Sequence, residues 1–95
     1  MYTIYIPNSF TPNADGINDY FKPTGINIKD IDLLIFDRWG NVIARVQGID
    51  SKGWDGTDYR TGEKCKTEVY NWKLTYVDIF NETHTDWIGT VTLVK

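Results

Sequence analysis

Residues 69–77 read Val69-Tyr70-Asn71-Trp72-Lys73-Leu74-Thr75-Tyr76-Val77. Tyr70, Trp72, Leu74 and Tyr76 alternate with Asn71, Lys73 and Thr75, so every second side chain is large and apolar or aromatic. A period of two places one set on each side of an extended chain, which predicts a strand with one buried face. Phe80-Asn81-Glu82-Thr83 reads as the turn that follows. Residues 85–94 then alternate again, with Trp87, Val91 and Leu93 on one face and Gly89 where a side chain would crowd a neighbour.

Upstream, residues 31–36 (Ile-Asp-Leu-Leu-Ile-Phe) and 42–46 (Val-Ile-Ala-Arg-Val) form a second strand pair. Asp37-Arg38-Trp39-Gly40-Asn41 joins them as a tight turn, with Gly40 at a left-handed position. Which of Leu33 and Leu34 points inward is a one-residue register question that the pattern leaves open. Residues 2–6 are a short β-branched and aromatic run stopped by Pro7, as in an edge strand. From Pro7 to Pro23 the chain is rich in Asn, Asp, Gly and Pro, yet Phe10, Ile17, Tyr20 and Phe21 punctuate it. That spacing predicts a packed loop with its own anchors. Residues 47–67 read as loops with at most one short strand. No window repeats at helical spacing. The expected fold is all-β, an immunoglobulin-like antiparallel β-sandwich of about seven strands. Ile4, Leu33, Ile35, Tyr70, Trp72, Leu74, Trp87, Val91 and Leu93 are its expected core.

The chain has 95 residues, room for one domain over 1–95, with 41% apolar side chains and a mean hydropathy of −0.39. Four Trp, six Tyr and four Phe supply the bulk of a small β core. Ten basic residues against thirteen acidic ones leave a net charge of −3, which argues against a nucleic-acid partner that needs a basic face. One cysteine, Cys65, excludes an internal disulfide or a thiolate zinc site. One histidine, His84, leaves a histidine metal cluster or an ordinary catalytic triad without parts. No apolar run reaches the length of a membrane span, and the start lacks the pattern of a signal peptide. The expected protein is not an enzyme.

Three ordered segments carry a family resemblance. The first is Ile6-Pro7-Asn8-Ser9-Phe10-Thr11-Pro12-Asn13-Ala14-Asp15-Gly16-Ile17-Asn18-Asp19-Tyr20-Phe21. The second is Ile35-Phe36-Asp37-Arg38-Trp39-Gly40-Asn41-Val42-Ile43, followed by Gly53-Trp54-Asp55-Gly56-Thr57. The third is Val69-Tyr70-Asn71-Trp72 with Gly89-Thr90-Val91-Thr92-Leu93-Val94-Lys95. Together they resemble the gliding motility-associated C-terminal domain, the type B sorting domain of the type IX secretion system of Bacteroidota. Three positions depart from that pattern: Ala14 and Glu68 stand where Gly is usual, and Lys95 where Arg is common.

The resemblance implies a C-terminal sorting domain without chemistry. It implies recognition by type IX machinery at the outer membrane and cargo domains N-terminal in the same polypeptide. It also implies passage through the periplasm and delivery to the cell surface or medium. The inner-membrane export signal is then expected at the far end of the full protein, with Met1 an expression start. The competing reading is an extracellular β-sandwich module for calcium-dependent adhesion or glycan binding.

Individual residues have bland and functional readings. No cofactor is required. The oxygen-rich stretch 13–19 could place Asp15, Asn18 and Asp19 around a calcium ion, although it fails the EF-hand spacing. The alternative is a set of capped turns without an ion, which is more common for such loops. Trp39 and Trp54 lie at turns, where sugar stacking competes with packing, and packing is expected for both. Cys65 reads as a free surface thiol and His84 as a solvated turn residue. Asp30 and Asp32 are expected to face water. Recognition is expected at the Pro7–Phe21 loop or at Gly89–Lys95, whose strand could pair with a partner's edge, or else around Arg38-Trp39-Gly40.

Overall fold

The computed structural model describes residues 2–12 and 19–94, Asp86 by its backbone. Among them run seven strands: β1 Thr3–Tyr5, β2 Ser9–Phe10, β3 Thr24–Ile26, β4 Ile28–Phe36, β5 Val42–Gln47, β6 Glu68–Asp78 and β7 Thr83–Leu93. A two-stranded sheet pairs β1 with β3, and a five-stranded sheet has the order β2-β7-β6-β4-β5. The fold is an all-β, immunoglobulin-like sandwich. Its pairs are antiparallel except for β2 beside β7, which is parallel, with Ser9 opposite Thr92 and Phe10 opposite Leu93.

The central strand is the one whose alternation is cleanest. In β6, Tyr70, Trp72, Leu74 and Tyr76 are buried while Val69, Asn71 and Lys73 face out. Leu74 lies opposite Leu33 on β4 and Trp72 opposite Ile35, so the inward rows of neighbouring strands coincide. That register answers the open question at the start of β4: Leu33 is fully buried and Leu34 stands on the outer face. Gly40 has a φ of +83°, as the turn between β4 and β5 requires.

The core matches the expected list except at two positions. Ile4 is partly buried against it. Trp87 is 43% exposed and is therefore not core. It nonetheless stands on the inward side of β7, opposite buried Leu74. What is missing is cover over that face, which the in-plane pairing of β2 along the edge of β7 does not supply. The Trp87 ring meets Tyr76 edge-on at 5.4 Å and is otherwise open. Periodicity names a strand's face, but only the opposite layer decides how much of that face is dry.

The core also gains residues from loops. Phe10, Phe21 and Trp54 are buried, together with Ile31, Ile43, Ala44 and Val46. The expected anchors Phe10 and Phe21 thus hold the ends of the Pro7–Phe21 loop against the sandwich.

Candidate recognition surface

The motif residues divide into those that build the fold and those that are presented by it. Trp54 belongs to the first group. Its backbone exchanges both hydrogen bonds with Phe21, the Trp54 N–H reaching the Phe21 carbonyl at 2.9 Å and the reverse bond spanning 2.8 Å. Its indole N–H donates to the Thr57 carbonyl at 2.9 Å, folding the ring over its own turn. The ring lies 5.2 Å from Phe10 and 5.3 Å from Tyr70. Asp55 Oδ1 accepts the Thr57 N–H and tightens that turn. Gly56 has a φ of +86°, and a Cβ there would sit 3.0 Å from Leu93 Cδ1 and 3.1 Å from Pro12 Cγ. Trp54-Asp55-Gly56 is therefore a structural staple joining the N-terminal loop to the end of β7.

The C-terminal motif is structural as well. Trp72 covers Gly89, and its indole N–H donates to the Thr90 carbonyl at 3.2 Å. The Thr92 and Val94 N–H groups donate to the carbonyls of Asn8 and Phe10. The edge of the terminal segment, expected to be free for a partner strand, is occupied over these residues by β2.

The Asp37–Asn41 turn is presented. Asp37 Oδ1 accepts the N–H groups of Trp39 and Asn41, each at 2.9 Å, and its Oδ2 accepts the Asn41 side-chain amide. Burial opposes charge on this carboxyl. The Asn41 and Trp39 hydrogen bonds and the nearby Arg60 guanidinium outweigh it and hold Asp37 below the usual carboxylate range. On this pinned turn Trp39 is 72% exposed, with the Arg38 guanidinium 4.3 Å from its ring centroid. Arg38 also reaches Glu68 at 3.5 Å. The expectation that Trp39 packs is overturned: its N–H is tied to Asp37 within the turn, and its ring stands in solvent against the Arg38 guanidinium.

Behind the turn lies a cleft of about 470 Å³, floored by Ile43, Cys65 and Tyr70 and walled by residues of the 58–68 loop. Arg60 forms a fork with Asp58, at 2.8 Å between Nη2 and Oδ2, and its hydrogen bond keeps the Asp58 carboxyl low. Cys65 is half-buried in this floor rather than on the open surface. Burial pushes the Tyr70 hydroxyl up to about 12, with Cys65 and Glu68 adding to it.

Of the other sequence candidates, Pro7, Asn8, Thr11 and Pro12 flank β2, and Asp19 lies beside Tyr20. Asn13, Asp15, Gly16, Asn18 and Lys95 lie outside the described residues, and so does the calcium expectation built on Asp15 and Asn18. Among the described residues, a different group brings ligand atoms within 4.8 Å of one another: Asp78, Glu82 and His84. The buried Asp78 carboxylate is already committed there. Its Oδ1 accepts the N–H groups of Phe80 and Glu82, and its Oδ2 lies 2.8 Å from His84 Nε2. His84 is thus not a solvated turn residue; it is a strand residue paired to the cap of its own hairpin. The hint was present in the sequence, since a hairpin closing at Phe80-Asn81 brings residues 78 and 84 together. Asp32 behaves as expected, half-exposed in a two-pronged pair with Arg45.

A family model, the CHU_C type IX secretion signal domain, matches residues 4–90. The chain belongs to that family. This domain is a sorting signal that directs cargo through the type IX secretion system to the cell surface or medium. The match favours sorting over the adhesion or glycan-binding reading. No curated protein matches the chain at a significant level.

Proposed function

We propose that the sorting domain is a non-catalytic, cofactor-free handle whose recognition element is the Arg38-Trp39-Gly40 turn. It stands C-terminal to its cargo in one polypeptide, which passes through the periplasm before crossing the outer membrane. The observation that carries this reading is the contrast between the motif tryptophans. Trp54 and Trp72 are consumed by the core, whereas Trp39 is 72% exposed on a turn held by five hydrogen bonds between Asp37 and Trp39, Gly40 and Asn41. A large aromatic ring on a rigid turn supports recognition, because it contributes contact area without a large ordering cost.

The test is a fusion of residues 1–95 to a periplasmically exported reporter in a host with type IX secretion. The intact fusion should cross the outer membrane. Trp39→Ala and Arg38→Ala should keep the melting temperature yet lose export. Export of a folded Trp39→Ala fusion at the normal level would remove the turn from the recognition surface. Failure of the intact fusion would count against autonomous sorting.

A further inference from the structure

One end of the sandwich carries apolar side chains that the fold does not use. Ile26 is 66% exposed, Ile79 47% and Phe80 63%. They come from two turns that are tied together. The Ile79 N–H donates to the Asn27 carbonyl at 2.9 Å, and Lys29 Nζ bonds Asn81 Oδ1. Asn27 and Asn81 hold φ values of 60° and 64°, which fixes both turns in left-handed conformations. The Asp78 carboxylate caps the second turn through Phe80 and Glu82. A turn so thoroughly pinned does not turn its Ile and Phe inward. Clustered exposed apolar side chains on a rigid base are a feature of contact surfaces.

The chain enters the domain at this same end. Thr3 pairs with Ile26 in antiparallel register, which sets Tyr2 beside Asn27, whose carbonyl accepts the Ile79 N–H of the β6–β7 hairpin. Tyr2 is already there, its ring 5.9 Å from Tyr76 and 5.2 Å from His84. Whatever polypeptide precedes Tyr2 therefore begins next to the apolar end. Proximity gives it a high effective concentration over that surface, which a free partner lacks.

We propose that Ile26, Ile79 and Phe80 seat the cargo polypeptide that immediately precedes the domain, making a fixed junction rather than a free swivel. This rests on the reading that cargo lies N-terminal in the same chain. The junction leaves the Arg38–Trp39 turn, between β4 and β5, available for recognition.

Hydroxyl-radical footprinting tests the seat directly. The full polypeptide is compared with residues 1–95 alone, both at concentrations where sedimentation shows monomers. Phe80 and Ile79 oxidation should fall in the full polypeptide toward the level of buried Phe21, while Trp39 stays reactive in both. The Ile79→Ser/Phe80→Ser pair, whose side chains are exposed, should leave the isolated domain's Tm unchanged. In the full polypeptide it should let the domain tumble independently by amide relaxation. Equal Phe80 oxidation in the two proteins would overturn the proposal. So would protection in the isolated domain that grows with concentration, which would assign the surface to a second copy. A reading frame with no polypeptide ahead of Met1 would instead sink the cargo reading itself, before the seat is tested.

Discussion

Gly89 lies directly under the Trp72 indole: a Cβ on residue 89 would sit 2.4 Å from Trp72 Cζ2 and 2.8 Å from Cε2. The two residues face each other across the β6–β7 pair, and the same indole bonds the Thr90 carbonyl. The ring therefore lies flat along the neighbouring strand, and only glycine leaves the space. Gly89→Ala should cost about 1–3 kcal/mol through overpacking. Trp72→Ala, which empties the space instead, should cost about 3–5 kcal/mol. Urea denaturation of both variants checks the order. A Gly89→Ala protein as stable as the parent would show that the indole can lift away freely.

The Trp39 and Trp54 substitutions should separate folding from recognition. Trp54→Ala removes the ring between Phe10 and Tyr70 and its indole bond to the Thr57 carbonyl, so a loss of about 3–5 kcal/mol is expected. Trp39→Ala should stay within about 0.5 kcal/mol of the parent, as exposed positions usually do. Thermal melting of the two proteins measures the contrast. Export lost in the first variant reports misfolding, whereas export lost in the second reports recognition.

Acid stability should depend on Asp78. The hydrogen bond from His84 holds this carboxyl below its ordinary value against the opposing effect of burial, with Glu82 and Phe80 N–H groups assisting. A carboxyl whose folded pKa is depressed stabilises the fold above its unfolded value, near about 3.9. That contribution is lost as pH falls through the lower, folded value. Asp78→Ala should lower the Tm at neutral pH, and the gap to the parent should narrow between about pH 5 and pH 2. A constant gap over that window would mean that charge at Asp78 does not matter.

What was legible in the sequence follows from which forces are local. The alternation of 69–77 and the 37–41 turn were readable, because a strand's face and a turn's chemistry are set by adjacent residues. The parallel contact of β2 with β7 was not readable. It depends on where Pro7 diverts the chain, and nothing in Ser9-Phe10 specifies the partner strand. The exposure of Trp87 was not readable either, because the layer that would cover its face is set by residues distant in the chain. Along β7, one extra residue lies between Trp87, opposite Leu74, and His84, opposite Tyr76, so His84 rather than Thr85 stacks on Tyr76, which no period-two count anticipates. For the site, the motif positions were identified but their division of labour was not. Trp39 stands directly before Gly40 and Trp54 two residues before Gly56, and only tertiary contacts show that Trp54 staples a loop while Trp39 faces solvent.

Calcium should not alter stability if the domain needs no cofactor. Melting curves with millimolar calcium and with chelator should superimpose. A lower Tm in chelator would support an ion held by Asp15, Asn18 and Asp19, since a ligand that binds the folded state alone raises its stability.

Truncation at the C-terminus should act through folding before it acts through recognition. Leu93 is fully buried, and the Thr92 and Val94 N–H groups hold the carbonyls of Asn8 and Phe10. Removing Thr92–Lys95 therefore strips a core side chain, dissolves the β2–β7 pair and takes away the Leu93 methyl that Gly56 approaches. The cost should exceed the about 2–5 kcal/mol of a single buried Leu-to-Ala change. Phe10, freed from its strand, should then become reactive to solvent probes. Removal of Lys95 alone spares all of these contacts and should leave the Tm in place. Denaturation of the two truncated proteins, run beside their export as reporter fusions, distinguishes the cases. Lost export from a stable Lys95 truncation would assign recognition to the terminal charge. Normal export from it, with loss only in the unstable four-residue truncation, would leave the end of β7 a structural element and recognition with the exposed Arg38–Trp39 turn.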